Sequence, residues 1–282
     1  MPTVADAVAV LERHYPPETA ESWDAVGLVC GDPADEIRRV LFCVDVVEAT
    51  VAEALDAGVQ LVVAHHPLLL RGVHGVPATS YKGRIVHRLI RAGAALYVAH
   101  TNADVANPGV SDALAARLGL LGVRPLVPAA IEGTGTGRIG ELDPPLPLRE
   151  FVALAARALP ATAGGVRASG DPDRLISRVA VCGGAGDSFL AAATASGAGV
   201  YLTADLRHHP VSEHAEAGGP ALVDVAHWAS ERPWLDDAAA LLRAGLGTDT
   251  VETLVSDLVT DPWVLHGAAA PSAPPKETSS TP

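Results

Sequence analysis

The sequence predicts an α/β fold: two related α/β domains with mostly parallel sheets. Three observations carry that expectation. Short apolar runs alternate with stretches of helical length, the grammar of right-handed βαβ units. Gly58, Gly93 and Gly119 each close a helical stretch. The second half also repeats the first. Arg39-Val40-Leu41-Phe42-Cys43 resembles Arg178-Val179-Ala180-Val181-Cys182, and the same shift lays Gly58 on Gly197 and Leu61-Val62-Val63 on Val200-Tyr201-Leu202.

Thr3 to His14 reads as an amphipathic helix with Val4, Ala7, Val8 and Leu11 on one face, ended by Pro16-Pro17. Ser22 to Val29 leads into a short strand, and Val40 to Val46 is a buried strand. A helix (Ala49 to Ala57), a strand (Val59 to Ala64), a helix (Lys82 to Ala92), a strand (Ala94 to Ala99) and a helix (Val110 to Leu118) follow. Val123 to Gly140 is rich in Pro, Gly and Thr and is placed as the domain junction. Beyond it come a helix (Pro147 to Ala158), a strand (Ser177 to Cys182), a helix (Ser188 to Ser196) and a strand (Gly199 to Thr203). A helix (Val211 to Ala217), a strand (Ala221 to Val225), a helix (Trp234 to Ala244) and extended edge structure over Val251 to Val264 complete the pattern. The expected units are residues 1–124 and 125–267. Residues 268–282, made of Ala, Pro, Ser and Thr with almost no large apolar side chain, are expected to be a disordered tail.

With 49% hydrophobic residues, 282 residues suffice for a large core, yet no apolar run approaches the ~20 residues of a membrane span. Met1 to Arg13 shows no signal-peptide pattern. Cys30, Cys43 and Cys182 are widely spaced with no CxxC, which fits a reducing cytoplasm. A net charge of −13 disfavours nucleic-acid binding, which needs a basic footprint, but leaves room for a small phosphorylated ligand.

The chemistry gathers at strand ends, where ligands bind in open α/β sheets. His65-His66-Pro67 follows Leu61-Val62-Val63-Ala64. His100-Thr101-Asn102-Ala103-Asp104 follows Leu96 to Ala99, and His227 with Glu231 follows Ala221 to Val225. His227 and Glu231 are four apart and share a face if that segment is helical. Adjacent His65 and His66 point in different directions on a strand, which suits two ions better than one. Asp104 and Glu231 are the available bridging carboxylates. Mixed imidazole and carboxylate donors suit Zn, Fe, Mn or Ni rather than Ca or Mg.

These motifs, with Ser22-Trp23-Asp24-Ala25-Val26-Gly27-Leu28, Val181 to Asp187, Thr203 to His209 and Asp261-Pro262-Trp263, resemble the GTP cyclohydrolase 1 type 2 family of Nif-three-like dinuclear-metal-centre proteins. The resemblance covers nearly the whole chain. It implies two divalent cations per subunit on His65, His66, Asp104, His227 and Glu231, with Glu231 as bridge, in a cleft between two α/β domains. It implies a ring-shaped homohexamer and hydrolytic opening of the guanine imidazole ring of GTP with release of formate. Longer relatives carry an extra central domain, for which the segment between Arg124 and Arg178 is too short. Two positions depart from the family pattern, Ala204 and Ala226 standing where glycine is usual. A non-catalytic metal-binding scaffold or regulator uses the same donor set and stays as the alternative function.

Other residues have two readings each. Asp205 and His209 either orient water and shuttle protons, or serve as a helix N-cap and an exposed histidine. His100 is either a group supporting the ligands, and occasionally a ligand itself, or a core histidine. Trp23 and Asp24 are expected to fix a loop. Gly183-Gly184-Ala185-Gly186 is either a phosphate cradle or a tight turn. Arg71, Lys82 and Arg84 either meet a triphosphate or lie on solvated surface.

Overall fold

The computed structural model describes residues 1–267; the expected disordered tail, 268–282, lies outside them. The first half contains α1 (Val4–His14), β1 (Gly27–Cys30), β2 (Arg39–Cys43), α2 (Glu48–Asp56), β3 (Leu61–Ala64), α3 (Tyr81–Arg91), β4 (Ala95–Val98), α4 (Thr101–Val105) and α5 (Val110–Arg117). The second contains β5 (Leu121–Pro128), β6 (Gly135–Pro147), α6 (Leu148–Ala158), β7 (Val166–Ser169), β8 (Leu175–Ala185) and α7 (Leu190–Ala195). It continues with β9 (Val200–Ala204), α8 (His208–Glu216), β10 (Ala221–Val225), α9 (His227–Leu246) and β11 (Glu252–Val255). Thr3 starts α1 with a reciprocal cap: its hydroxyl accepts the Asp6 N–H, and the Asp6 carboxylate accepts the Thr3 N–H. No helix among the described residues is long and apolar enough to cross a membrane.

The first sheet runs β1-β4-β3-β2-β11, parallel throughout except for β1. Its alternate residues feed two cores, as a doubly covered parallel sheet requires. Val40, Phe42, Leu61 and Val63 pack with α1 and α9, whereas Leu41, Cys43, Val62 and Ala64 pack with α2 and α3. The second sheet runs β5-β6-β8-β9-β10-β7 and is parallel only at its centre, β8-β9-β10. Val179, Val181, Val200 and Leu202 face α5 and α6; Ala180, Cys182 and Tyr201 face the other side, with Ala193 and Leu206.

The internal repeat is structural. Val40 pairs with Leu61 and Phe42 with Val63 in β2-β3; under the shift that lays Arg39 on Arg178, these become Val179 with Val200 and Val181 with Leu202, the pairs observed in β8-β9. Even the lead-in hydrogen bonds correspond: Gln60 N to Arg39 O, and Gly199 N to Arg178 O.

Several segments differ from the sequence expectation. Val123 to Gly140 is not a loose junction; it belongs to the β5-β6 antiparallel pairing, with Val127 on Thr136, so the 124/125 boundary falls inside a strand. β11 lies in the second half of the chain but pairs with β2 in the first sheet. The helix expected at Trp234 begins seven residues earlier by its own numbering, at His227, and passes through Pro233. A proline there forfeits a backbone hydrogen bond. The buried face of Trp228, Ala229, Trp234, Leu235, Ala238 and Leu242 nonetheless holds the helix against the first core. Ser188 to Ser196 divides into a 3₁₀ turn and α7, and β7 had no sequence signal strong enough to show.

Candidate metal centre

Each piece of the site stands where a strand hands over to a loop or helix. His65 and His66 continue the ladder one step beyond β3: their N–H groups donate to Cys43 O and Val44 O. His100, two residues beyond β4, precedes α4, in which Asp104 lies. Asp205 follows β9, and His227 opens α9 with Glu231 one turn on. Because α9 packs against the first core while β10 belongs to the second sheet, the His227 turn is carried onto the β3 end.

There the five predicted residues converge. Glu231 is the hub: Oε1 stands 3.1 Å from His227 Nε2 and 3.4 Å from His65 Nε2, and Oε2 stands 3.1 Å from His66 Nε2. Asp104 Oδ1 is 3.9 Å from His65 Nε2. His65 and His66 do not diverge as strand alternation suggests; their ring centroids are 5.1 Å apart, and both turn Nε2 toward Glu231. His65 Nε2, Asp104 Oδ1 and Glu231 Oε2 are buried without an aligned hydrogen-bond partner among the described residues. Buried polar atoms left so are costly. Two groups have ligand atoms within 4.8 Å of one another, His65-His66-His100 and His66-His227-Glu231, sharing His66. Nitrogen and carboxylate donors, buried and mutually facing, fit divalent transition metals.

Each imidazole is held by its other nitrogen. His66 Nδ1 donates to Asp45 Oδ1 at 2.7 Å, His227 Nδ1 to Asp205 Oδ2 at 2.7 Å, and His100 Nδ1 to Asp24 Oδ1 at 2.9 Å. His65 Nδ1 instead donates to the Ala99 carbonyl at 2.9 Å. Such partners fix the ring and leave Nε2 for a metal. Asp45 was not picked out in the sequence, although it follows the apolar β2 as the histidines follow β3. Thr260 donates to its second oxygen. Asp24 also accepts the Thr101 N–H at 3.0 Å and the Thr101 hydroxyl, so it ties its own loop to the start of α4.

The charges are strongly coupled. Burial would raise the Glu231 carboxyl, but His66, His227 and His65 hold it well below the usual carboxylate range. Burial opposes protonation of His66 and His227, yet Glu231 together with Asp45 or Asp205 pushes them up to about 10 and about 11. Burial pushes Asp104 up to about 6, and burial with the neighbouring His65 pushes His100 down to about 4.

The remaining sequence candidates fall elsewhere or act otherwise. Asp205 is no helix cap: α8 has Arg207 at its N-cap, and Asp205 sits at φ 58° with its carboxylate on His227. His209 is exposed on α8 beside His208 and makes none of the contacts of the centre. Of Gly183-Gly184-Ala185-Gly186, the first three residues end β8 and Gly186 caps a 3₁₀ turn. A Cβ on Gly184, whose φ is +67°, would collide with Glu231 Oε1 and come within 3.0 Å of His227 Nε2. Arg84 is engaged by Glu48 at 3.1 Å, Lys82 lies over the Tyr81 ring and Arg71 is exposed. Neither Ala204 nor Ala226 needs glycine's conformations: Ala226 has φ −64°, and Ala204 is an ordinary paired residue of β9.

The family model for DUF34/NIF3 (NGG1p interacting factor 3) matches residues 2–262. The chain belongs to the DUF34/NIF3 family. This NIF3-family chain is 53% identical, over 97% of its length and 98% of the relative's, to a Streptomyces coelicolor protein named GTP cyclohydrolase 1 type 2 homolog. A Mycobacterium tuberculosis protein of the same name is 40% identical over 93% of this chain and 97% of its own. That alignment runs over 370 positions, so the mycobacterial protein carries internal sequence that this one lacks. Among solved structures, a Bacillus cereus protein related to NIF3 has a TM-score of 0.86 at 23% identity, covering 94% of this chain and 99% of that one, which establishes the shared fold. A Staphylococcus aureus protein superposes with a TM-score of 0.84 at 29% identity, covering 93% and 99%.

Proposed function

We propose that this protein is a dinuclear-metal hydrolase whose two divalent cations are held by His65, His66, Asp104, His227 and Glu231. The observation that carries the reading is Glu231: one buried carboxylate offers its two oxygens to three imidazoles brought from both halves of the chain. A carboxylate so placed serves a metal pair better than an ion-pair role, because a buried charge needs aligned hydrogen bonds and here has few. Divalent cations in such a donor set acidify water and polarise the bond under attack.

The chain's own residues then have defined tasks. Asp45 and Asp205 keep the His66 and His227 rings turned toward Glu231. Asp205 is partly exposed and can pass a proton between solvent and the His227 side of the centre. His65, fully buried, excludes water from the inner face. The substrate in this reading is GTP, opened at its imidazole ring with loss of formate. Its support is the name that the relatives carry together with a donor set suited to hydrolysis. The reading extends to a homohexameric ring in the cytoplasm, where the unpaired Cys30, Cys43 and Cys182 are at home.

The test is turnover. Protein loaded separately with Mn, Fe or Zn is given GTP, and formate is measured. Formate production that disappears in Glu231→Gln supports the assignment; no formate with any of the metals removes it.

A further inference from the structure

Beside the centre the surface is grooved by two neighbouring cavities that share Arg167, Leu206 and Asp224 in their lining. The first, ≈490 Å³, is lined by the metal-side residues His227 and Asp205 together with Asp261, Trp263 and Arg167. The second, ≈420 Å³, is lined by Arg167, Arg207 and His208. Arg167 lines both and so stands at their junction.

Arg167 is held there by a built contact. It faces Asp224 across the β7-β10 pairing, donates from Nε to Oδ2 at 2.7 Å and from Nη2 to the Leu206 carbonyl at 3.4 Å, and keeps Nη2 2.6 Å from Oδ2 as an ion pair. Asp224 uses its other oxygen to accept the Leu206 N–H at 3.0 Å. The carboxylate is 15% exposed, whereas the Arg167 side chain is 73% exposed. A guanidinium oriented by one carboxylate and still open to solvent is preorganised for a second, anionic partner. Arg207, itself anchored by Asp187 at 2.6 Å, lines the second cavity further out.

The other end has the opposite character. Asp205 and Asp261 line it, and Asp261 Oδ2 is buried with no hydrogen-bond partner among the described residues. Trp263, 72% exposed, offers a flat face there. Acidic groups beside an aromatic face favour a planar ring rich in N–H donors and repel a phosphate.

We propose that this groove seats a mononucleotide-like substrate, with its phosphate on Arg167 and its ring between Trp263 and the His227 side of the centre. The assignment rests on the hydrolase reading, which places the reacting ring at His227. Arg167 is then the residue that selects phosphorylated over unphosphorylated ligands.

The test is equilibrium binding of GMP and of guanosine to Zn-loaded protein, read by tryptophan fluorescence and by calorimetry. GMP is expected to bind about tenfold more tightly than guanosine, the size of one charge-assisted contact. Arg167→Gln is expected to erase that preference while guanosine affinity, metal content and thermal midpoint stay at wild-type values, and Arg167→Lys to restore part of it. A preference that survives in Arg167→Gln places the phosphate elsewhere, for instance on the metals, and overturns the proposal. Wild-type protein that binds neither ligand, or both alike, overturns it too. Formate release from GTP reports separately on the hydrolase reading: loss of the preference in Arg167→Gln without wild-type turnover leaves the groove standing and removes only the reaction.

Discussion

His66 Nε2 stands 3.1 Å from Glu231 Oε2, joining the end of β3 in the first sheet to the second turn of α9. The contact ties together the two repeats of the chain, and the candidate centre depends on it. Glu231→Gln keeps the volume and removes the charge. The purified variant is expected to retain its fold and to lose affinity for divalent metal by more than about a hundredfold, beyond the range seen for outer partners of ligands. Metal analysis of the purified protein and competition with a chelator would show it; wild-type metal content in the variant would place the centre elsewhere.

Asp45 and Asp205 act through the histidines they hold. Asp45→Asn and Asp205→Asn each leave a hydrogen-bonding group in place but weaken the orientation and basicity of the ring, so metal affinity is expected to fall roughly ten- to hundredfold. Asn also tolerates the left-handed backbone that Asp205 adopts at φ 58°, so that variant tests charge rather than strain. Chelator competition at constant pH measures the loss, and unchanged affinity in both would show the rings need no such support.

The metal-stripped protein should become less stable as the solution grows alkaline. His66 and His227 have folded pKa values near 10 and 11, above the ordinary histidine value. Their contribution is therefore complete below about pH 6.5 and is lost progressively as pH rises through the folded values. Glu231, held low, contributes above the ordinary carboxylate range and loses that contribution as pH falls. Calorimetric melting of chelator-treated protein from pH 7 to 10 should show a falling midpoint. Metal loading should release protons and flatten the slope. A midpoint that climbs over that interval contradicts the charge arrangement.

Gly184→Ala addresses the close approach of β8 to the centre. The added methyl meets Glu231 and His227, and the residue sits at φ +67°, so a loss of about 1–3 kcal/mol is expected with reduced metal content. Denaturant titration and metal analysis give the two halves of that expectation. Stability lost with metal fully retained would mean that Glu231 yields and the backbone alone is strained.

Asp112→Ala should be the most damaging of these changes to stability. Arg138, 1% exposed, donates to Asp112 from Nε at 2.7 Å and Nη2 at 2.6 Å and to the carbonyls of Gly135, Gly137 and Ala106. Removing its carboxylate strands a buried cation, at a cost of about 3–5 kcal/mol. A loss of unfolding free energy in denaturant titration smaller than a third of that would show that the carbonyls suffice.

The sequence was informative wherever one physical signal dominated. β3, β4, β9 and β10 are short apolar runs, and the segments just beyond β3, β4 and β10 carried the histidines that the fold brings together. Asp45, after β2, and Asp24, in the loop before β1, escaped notice as ring-holders because a lone aspartate beside a strand looks like a turn residue; only the three-dimensional contact distinguishes it. The first turns of α9 were hidden by Pro233, whose local cost is outweighed by the packing of Trp228 and Trp234. The β5-β6 pairing was hidden by Pro and Gly, which in this antiparallel region mark bulges and turns rather than a linker. The placement of β11 is a long-range pairing with no local periodicity to announce it.

That last strand has a consequence for biogenesis. Glu252–Val255 closes the edge of β2, and just beyond it Ser256 donates to Glu53 and Thr260 to Asp45. The β2 edge of that sheet therefore stays open until β11 has been synthesised. A nascent chain halted before β11 exposes the β2 edge to neighbouring chains, and the ring of His66 lacks the full set of braces it has in the mature fold.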